Sequence, residues 1–559
     1  MSASSKKQLR KEQNAQMMTE RQKQAQAEAK QLKVLTVVFT VIIIAIAAAF
    51  LITQVVSGIS RSGVVEKSTI ALTVNEHKLN SVVMNYYLHD AISTEYNNAY
   101  NTYSDYTASY FKSMGLDLSK PLDEQEYAGE AYETWADYYK AIAIENAKGD
   151  YALYDLAMAD ESYKLSEDAE AGIANTMAYM QLYAQFSGAS SVDMYLRSMY
   201  GNGSTEKSYE EYTRISTIAR DYYSAHMDSL TYTDADLRDY EADRYNNYSA
   251  YNFQSYYLNH TSFLEGGTEG EDGKTTYSDA ETEAARDAAH KAAQQLTEAT
   301  TVEELDKAIA ELSINAEKTE KPTSTANTNV MHTSLNKEYA DWLGAADRKE
   351  GDVSLFPNKS TTTDADGKTV EVVNGYYVLM YVSTNHNLEK LANVRHILFN
   401  FEGGTQDDKG NTTYSPKEKE AAKAKAEDLL KKWKDGEATE ESFIALVHDN
   451  TGDEGSKETG GLYEDIHPQS NFVETFRSWA VSSNRKAGDT GVISSEYGYH
   501  VMYYVGDDEL TYRDYMIREE MRSKDVEKWY DAIVDATTAT LGKTNRLNTD
   551  FLLSSLANS

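Results

Sequence analysis

Few stretches of this chain carry residue types that could do chemistry unaided. Gly267, Gly273, Lys274 and Thr275 follow the order of a phosphate-cradling loop, in which backbone N–H groups and a lysine would hold a nucleotide. The glycines stand one residue too far apart, and Glu269, Glu271 and Asp272 between them would repel phosphate. Asp449-Asn450-Thr451-Gly452-Asp453-Glu454 offers oxygen ligands to calcium, yet its sixth position is Glu where an EF-hand loop needs Gly to turn. His448 and His467 have no companions at metal-ligand spacing. The chain has no cysteine, which removes disulfides, thiol catalysis, cysteine-held zinc, iron–sulfur clusters and a lipid-modified cysteine. No metal and no cofactor is expected.

The elements that would position any site belong to a long acidic chain. Its 559 residues predict three or four folding units, and 41% hydrophobic residues with only 5 prolines suffice for packed cores. Against 54 basic residues stand 89 acidic ones, for a net charge of −35, which argues against a nucleic-acid partner. The charge is unevenly placed. Residues 1–33 hold eight Lys/Arg and three Glu, a net of +5, so the remainder carries −40. Val34 to Thr53 follows, 20 residues without a charge, the length that crosses a bilayer as a helix. The expectation is a basic cytoplasmic tail over 1–33, a transmembrane anchor over 34–57 and an acidic bulk outside the membrane. The alternative is a signal peptide cleaved near Ala47-Ala48-Ala49, for which a 33-residue leader is long.

Beyond the anchor, Thr69 to Leu79 alternates and turns at Asn75-Glu76, as a short hairpin would. Ser81 to about Tyr248 reads as helix. Tyr96, Tyr100, Tyr103, Tyr106 and Tyr110 fall at helical spacing along one face, either as core packing or as an aromatic cradle for unfolded peptide. The chain then repeats itself. Phe263-Leu264-Glu265-Gly266-Gly267-Thr268 and Asn400-Phe401-Glu402-Gly403-Gly404-Thr405 lie 137 residues apart. At the same offset Ser278 with Glu281 and Ser415 with Glu418 form capping boxes, and Trp342 with Arg348 and Asp352 matches Trp479 with Arg485 and Asp489. The copies close on Gly375-Tyr376-Tyr377-Val378 and Gly498-Tyr499-His500-Val501. Strand, long loop, helices and a closing strand in each predict two tandem α+β domains.

The second copy resembles a known family. Val394-Arg395-His396-Ile397-Leu398-Phe399, Phe443-x-x-Leu446, Gly460-Gly461-Leu462, Phe472-x-x-x-Phe476 and Gly498-Tyr499-His500-Val501 stand in the order and spacing of the parvulin peptidyl-prolyl isomerases, over about 387–507. With helical flanks on both sides, the whole is similar to the PrsA/SurA type of extracytoplasmic foldase. The fold class implied is α+β: a transmembrane helix, a helical chaperone-like segment over 58–248, a degenerate parvulin-like copy over 249–386, the isomerase domain over 387–507 and a helical segment over 508–559. The resemblance further implies His396, Asp453, Ser495 and His500 as the polar catalytic network, and Leu462, Phe472 and Phe476 as the apolar grip on the prolyl ring. Gly-Gly-Leu-Tyr at 460–463 departs from the family's Gly-Gly-Asp-Leu-Gly.

Rotating a prolyl peptide bond breaks no covalent bond, so no metal, nucleotide or nucleophile is required. Partners would be unfolded exported polypeptides with X-Pro bonds; the acidic stretch Glu402 to Asp408 argues against phosphorylated ones. Two rival functions use the same residues: a holdase whose parvulin domains no longer catalyse, and a scaffold in a membrane-associated secretion assembly. At offset 137, His396 aligns with Asn259 (or His260 if shifted by one) and Asp453 with Ala316, while His500 aligns with Tyr377. The first copy is therefore expected to be inactive.

Overall fold

The computed structural model describes residues 62–549, except 271–272, 364–366 and 408–409. The basic tail and the anchor expected at 34–57 lie outside the described residues. Among those described, no helix is long and apolar enough to cross a membrane. The described residues divide into two compact units, one of those up to 230 together with those from 524 onward, the other of those within 231–523.

In the first unit, β1 (Ile70–Val74) and β2 (His77–Asn80) form the hairpin, turning through Asn75 at φ 49°, a left-handed conformation that asparagine tolerates. Five longer helices follow: α1 (Ser81–Tyr103), α2 (Trp135–Ala159), α3 (Glu167–Phe186), α4 (Val192–Tyr200) and α5 (Glu206–Ser229). The Asn80 side chain starts α1 by accepting the backbone N–H groups of Val82 and Val83. Leu72 and Val74 pack with Tyr87, Leu88 and Ile92 of α1 and with Trp135, Tyr139 and Ala143 of α2 in one core. A strand at Ala539–Leu541 pairs antiparallel with β1, joining Leu541 to Leu72.

The five-tyrosine stripe does not run along one helix. Ser104, at φ 48° and ψ −119°, ends α1, and Tyr110 belongs to a separate helix over Thr107–Ser113. The turn brings the rings together instead: Tyr103 stacks on Tyr110 at 4.4 Å and Tyr96 on Phe111 at 6.2 Å. Tyr96 and Tyr110 pack on the core, while Tyr100, Tyr103 and Tyr106 are exposed.

The second unit holds two four-stranded antiparallel sheets. The first comprises β3 (Ala250–Asn259), β4 (Thr325–Met331), β5 (Val353–Thr363) and β6 (Thr369–Asn385), in the order β4-β3-β6-β5, with helices α6 (Asp279–Leu296), α7 (Val302–Glu311) and α8 (Lys337–Leu343). The second comprises β7 (Lys390–Asn400), β8 (Leu462–Ile466), β9 (Thr490–Ser494) and β10 (Gly498–Thr511), in the order β8-β7-β10-β9, with α9 (Pro416–Asp435), α10 (Glu440–Asn450) and α11 (Glu474–Ala480). Each sheet has its central pair flanked in the same sense. Each carries a left-handed bulge, Asn329 at φ 51° and Asp465 at φ 53°. Their N–H groups donate to the Asn252 and Asn393 side chains at 2.8 and 3.0 Å. Arg348 lies over the Trp342 ring and Arg485 over Trp479, at 4.6 and 3.9 Å.

Register corrects one alignment. Asn259 pairs with Gly375 as Asn400 pairs with Gly498, so the first strands correspond at an offset of 141, not 137. The four extra residues are the 3₁₀ turn His260–Phe263. Ser255, and neither Asn259 nor His260, thus stands where His396 does: Ser255 faces Leu379 and His396 faces Met502.

Alternation along β7 divides the second domain into two cores. Ile397, Val501 and Tyr503 pack with Trp433 of α9 and with Phe443 and Val447 of α10. Val394, Met502 and Tyr504, on the opposite face, pack with Phe476 and Trp479 of α11. His396 and His500 belong to this second face.

Candidate active site

His396 and His500 come together because β7 and β10 are neighbours. His396 is opposite Met502 and His500 opposite Leu398, so the two imidazoles sit diagonally on one face of the sheet. Both are buried, at 3% and 4% exposure, and their Nδ1 atoms lie 3.0 Å apart. One proton fills that gap. The far nitrogen of His396 meets Asp453 Oδ2 at 2.7 Å, and the far nitrogen of His500 meets Ser495 Oγ at 2.8 Å. With both rings neutral the donors run one way: Ser495 hydroxyl to His500 Nε2, His500 Nδ1–H to His396 Nδ1, and His396 Nε2–H to the carboxylate.

Local structure aims each member. Thr451, just past the end of α10, accepts the Leu398 N–H of β7 and the Asp453 N–H, both at 3.2 Å, which ties the Asp453 loop to the strand bearing His396. Gly461 allows β8 to close on β7. Its φ is +73°, and a Cβ there would lie 2.4 Å from the His396 carbonyl oxygen. Ser495 is held by the Tyr497 N–H at 3.1 Å.

Electrostatics follow from these contacts. The bond from His396, supported by Ser456 and Tyr463, holds the Asp453 carboxyl well below the ordinary carboxylate range. Burial pushes His500 down to about 4; His396 beside it adds to the shift and Asp453 opposes it. Tyr463 is raised by burial and by its bond to Asp453.

The network closes one wall of a cavity of about 590 Å³. Phe476 stands edge-on to His396 with ring centres 5.2 Å apart, and Phe472 stacks on Phe476 at 4.9 Å. Leu398 and Val473 complete the apolar lining, and exposed Tyr497 stands at the mouth. Of the seven candidates, five line the cavity. Ser495 lies behind His500. Leu462 is corrected: it pairs with Arg395, on the face that packs against α9 and α10, whereas Tyr463 pairs with Val394 and lines the cavity.

Sequence reasoning missed Tyr463, whose hydroxyl donates to Asp453 Oδ2 at 2.9 Å, and Ser456, whose hydroxyl donates to the same oxygen at 2.6 Å. Strand alternation after Gly461 could have found the first. The second stands three residues beyond Asp453 in the short helix Glu454–Lys457, a position with no signal of its own.

Residues 376–506 match the model of the PPIC-type PPIASE domain. Three solved structures are similar. Peptidylprolyl isomerase PrsA from Bacillus anthracis is 18% identical over 27% of this chain and 59% of its own, with a TM-score of 0.17. PrsA from Bacillus cereus is 19% identical over 31% and 57%, with a TM-score of 0.17. PrsA from Bacillus subtilis is 20% identical over 27% and 50%, also at 0.17. This chain therefore covers between 50% and 59% of these three proteins. No curated protein matches it.

Proposed function

We propose that this chain, which carries a parvulin-type peptidyl-prolyl isomerase domain in residues 376–506, is a membrane-anchored foldase acting on exported polypeptides outside the cytoplasm. The observation that carries the catalytic reading is the unbroken line Ser495–His500–His396–Asp453 along one wall of an apolar cavity. An X-Pro bond rotates over a barrier of ~18–20 kcal/mol because nitrogen and carbonyl are conjugated. At the twisted midpoint that conjugation is lost, so a site that grips the ring and favours the twisted amide lowers the barrier. Phe472, Phe476 and Tyr463 supply the grip. The imidazole pair, anchored at one end by a carboxylate, supplies a fixed polar wall that costs no reorganisation during rotation.

The first sheet domain reads as a duplicate without this chemistry. Ser255 stands at the place of His396 and bonds to Asn327; Tyr377, in the place of His500, stacks on Tyr257 at 4.5 Å. Leu335 and Tyr339, counterparts of Phe472 and Phe476, pack into its core with Phe356 and Leu343. A holding role has separate support in the first unit. Tyr179, Leu182, Tyr183 and Phe186 lie at helical spacing along α3 and are 57, 43, 49 and 79% exposed, an apolar stripe suited to unfolded chain. Anchoring rests on the uncharged span at 34–53 and the basic residues before it. A protease-coupled prolyl-peptide assay on residues 387–507 tests the catalytic reading; no acceleration over the uncatalysed rate would leave the holdase.

A further inference from the structure

A cavity of about 290 Å³ lies in the first unit, far in sequence from the histidine network, among α1, α2, α5 and the helix that carries Tyr530. Its walls are tyrosine rings. Tyr86 lies edge-on to Tyr200 at 5.0 Å and to Tyr209 at 5.3 Å, and Tyr212 lies edge-on to Tyr87 at 4.9 Å. Such a wall presents aromatic faces and phenol oxygens, both attractive to positive charge.

The charged groups at this cavity do not cancel. Asp90 and Asp150 both line it, and neither forms an ion pair among the described residues. Asp150 directs one oxygen to the Tyr87 hydroxyl at 3.0 Å and the Ser216 hydroxyl at 2.5 Å. Arg220 also lines the cavity and acts electrostatically on both carboxylates, while its Nε donates to the Ser216 backbone carbonyl at 3.3 Å. His89 is held neutral at pH 7, because burial pushes it down to about 4. Two carboxylates against one guanidinium leave the cavity negative. Burial raises both Asp90 and Asp150 from their ordinary values, Arg220 lowers both, and the Ser216 and Tyr87 bonds lower Asp150 further.

We propose that this cavity binds an organic cation, an ammonium or guanidinium group on a slender apolar arm, with Asp90 and Asp150 taking the charge and the tyrosine rings flanking the arm. The volume admits one side chain and not a folded segment. Two sources offer that chemistry: a lysine or arginine side chain of a bound polypeptide, and a free diamine. The inference is independent of the isomerase reading, since no residue is shared.

Calorimetric titration of the full chain in nanodiscs with N-acetyl-lysine methylamide, N-acetyl-norleucine methylamide and 1,5-diaminopentane tests it. The two cations should bind saturably and the isosteric norleucine amide about tenfold more weakly or not at all. Asp150→Asn and Asp90→Asn should each weaken the cations about tenfold. Arg220→Gln should tighten them, a change of sign that loss of packing would not produce. An unfolded lysine-rich polypeptide that displaces diaminopentane assigns the cavity to client side chains; diaminopentane bound without such displacement assigns it to free cations. Equal binding of the lysine and norleucine amides, no binding of either cation, or weaker binding in Arg220→Gln would overturn the proposal. Should the aspartate variants fail to fold, the lysine–norleucine comparison and Arg220→Gln still decide.

Discussion

His500 holds its place in the network as a neutral ring, and that has a consequence for pH. Its folded pKa is about 4 against an ordinary 6.5, so between those values the unfolded chain binds a proton that the folded one refuses. Stability from this site is therefore fully present above pH 6.5 and declines as pH falls toward 4. Asp453, shifted down, adds a loss that begins below 3.8. NMR titration of the His500 ring should give a midpoint near 4; a midpoint near 6.5 would mean the ring is solvated and the Nδ1···Nδ1 contact absent. Phe476 tests packing and grip together, because it is 2% exposed and also lines the cavity. Phe476→Ala should cost ~3–5 kcal/mol of stability and abolish the acceleration of prolyl exchange, measured as melting and turnover on one preparation. Tyr463→Phe removes one hydrogen bond to a charged carboxylate and keeps the ring, so it should cost ~1.5–3 kcal/mol at most and lower turnover more than peptide affinity. An unchanged turnover would take the hydroxyl out of the account.

Among the elements, the β8–β7 approach is the least forgiving. Gly461→Ala would place a methyl group 2.4 Å from the His396 carbonyl oxygen while keeping a left-handed backbone. The backbone term alone costs ~1–2 kcal/mol, and the clash must displace β7. Activity should fall with melting temperature, and an active, equally stable variant would contradict the register. Much of this level was legible in the residues. The hairpin turning at Asn75, the capping boxes at Ser278 and Ser415, Pro416 at the first turn of α9 and the cap at Gly436 all depend on local spacing, and local spacing is what a sequence displays. The two histidines stand inside ordered motif blocks, while the Ser456 and Tyr463 hydroxyls bonded to Asp453 carry no such mark. What failed depends on pairing between distant strands. A constant offset hid the turn His260–Phe263, which shifts Ser255 into the place of His396, and a motif position put Leu462 where alternation puts Tyr463. The tyrosine stripe failed for a different reason: spacing alone does not reveal the break at Ser104, which no glycine or proline marks.

For the molecule as a whole, charge and site divide the labour. A +5 tail, an uncharged span and −40 beyond it predict that protease added to intact protoplasts removes residues past about 58 and spares the tail; full protection would refute that orientation. Two sheet domains of like topology sit in the second unit, and only one carries the histidine pair, so the second unit should isomerise prolines at one place. The most direct test is the rate of prolyl exchange in a chymotrypsin-coupled tetrapeptide assay on residues 62–549, with and without His500→Ala. The unaltered chain should accelerate exchange clearly, and His500→Ala should lose about a hundredfold in kcat/KM while still folding, at a lowered melting temperature. An unaltered chain that leaves the exchange rate where water leaves it, or a folded His500→Ala variant as fast as its parent, would contradict the catalytic reading.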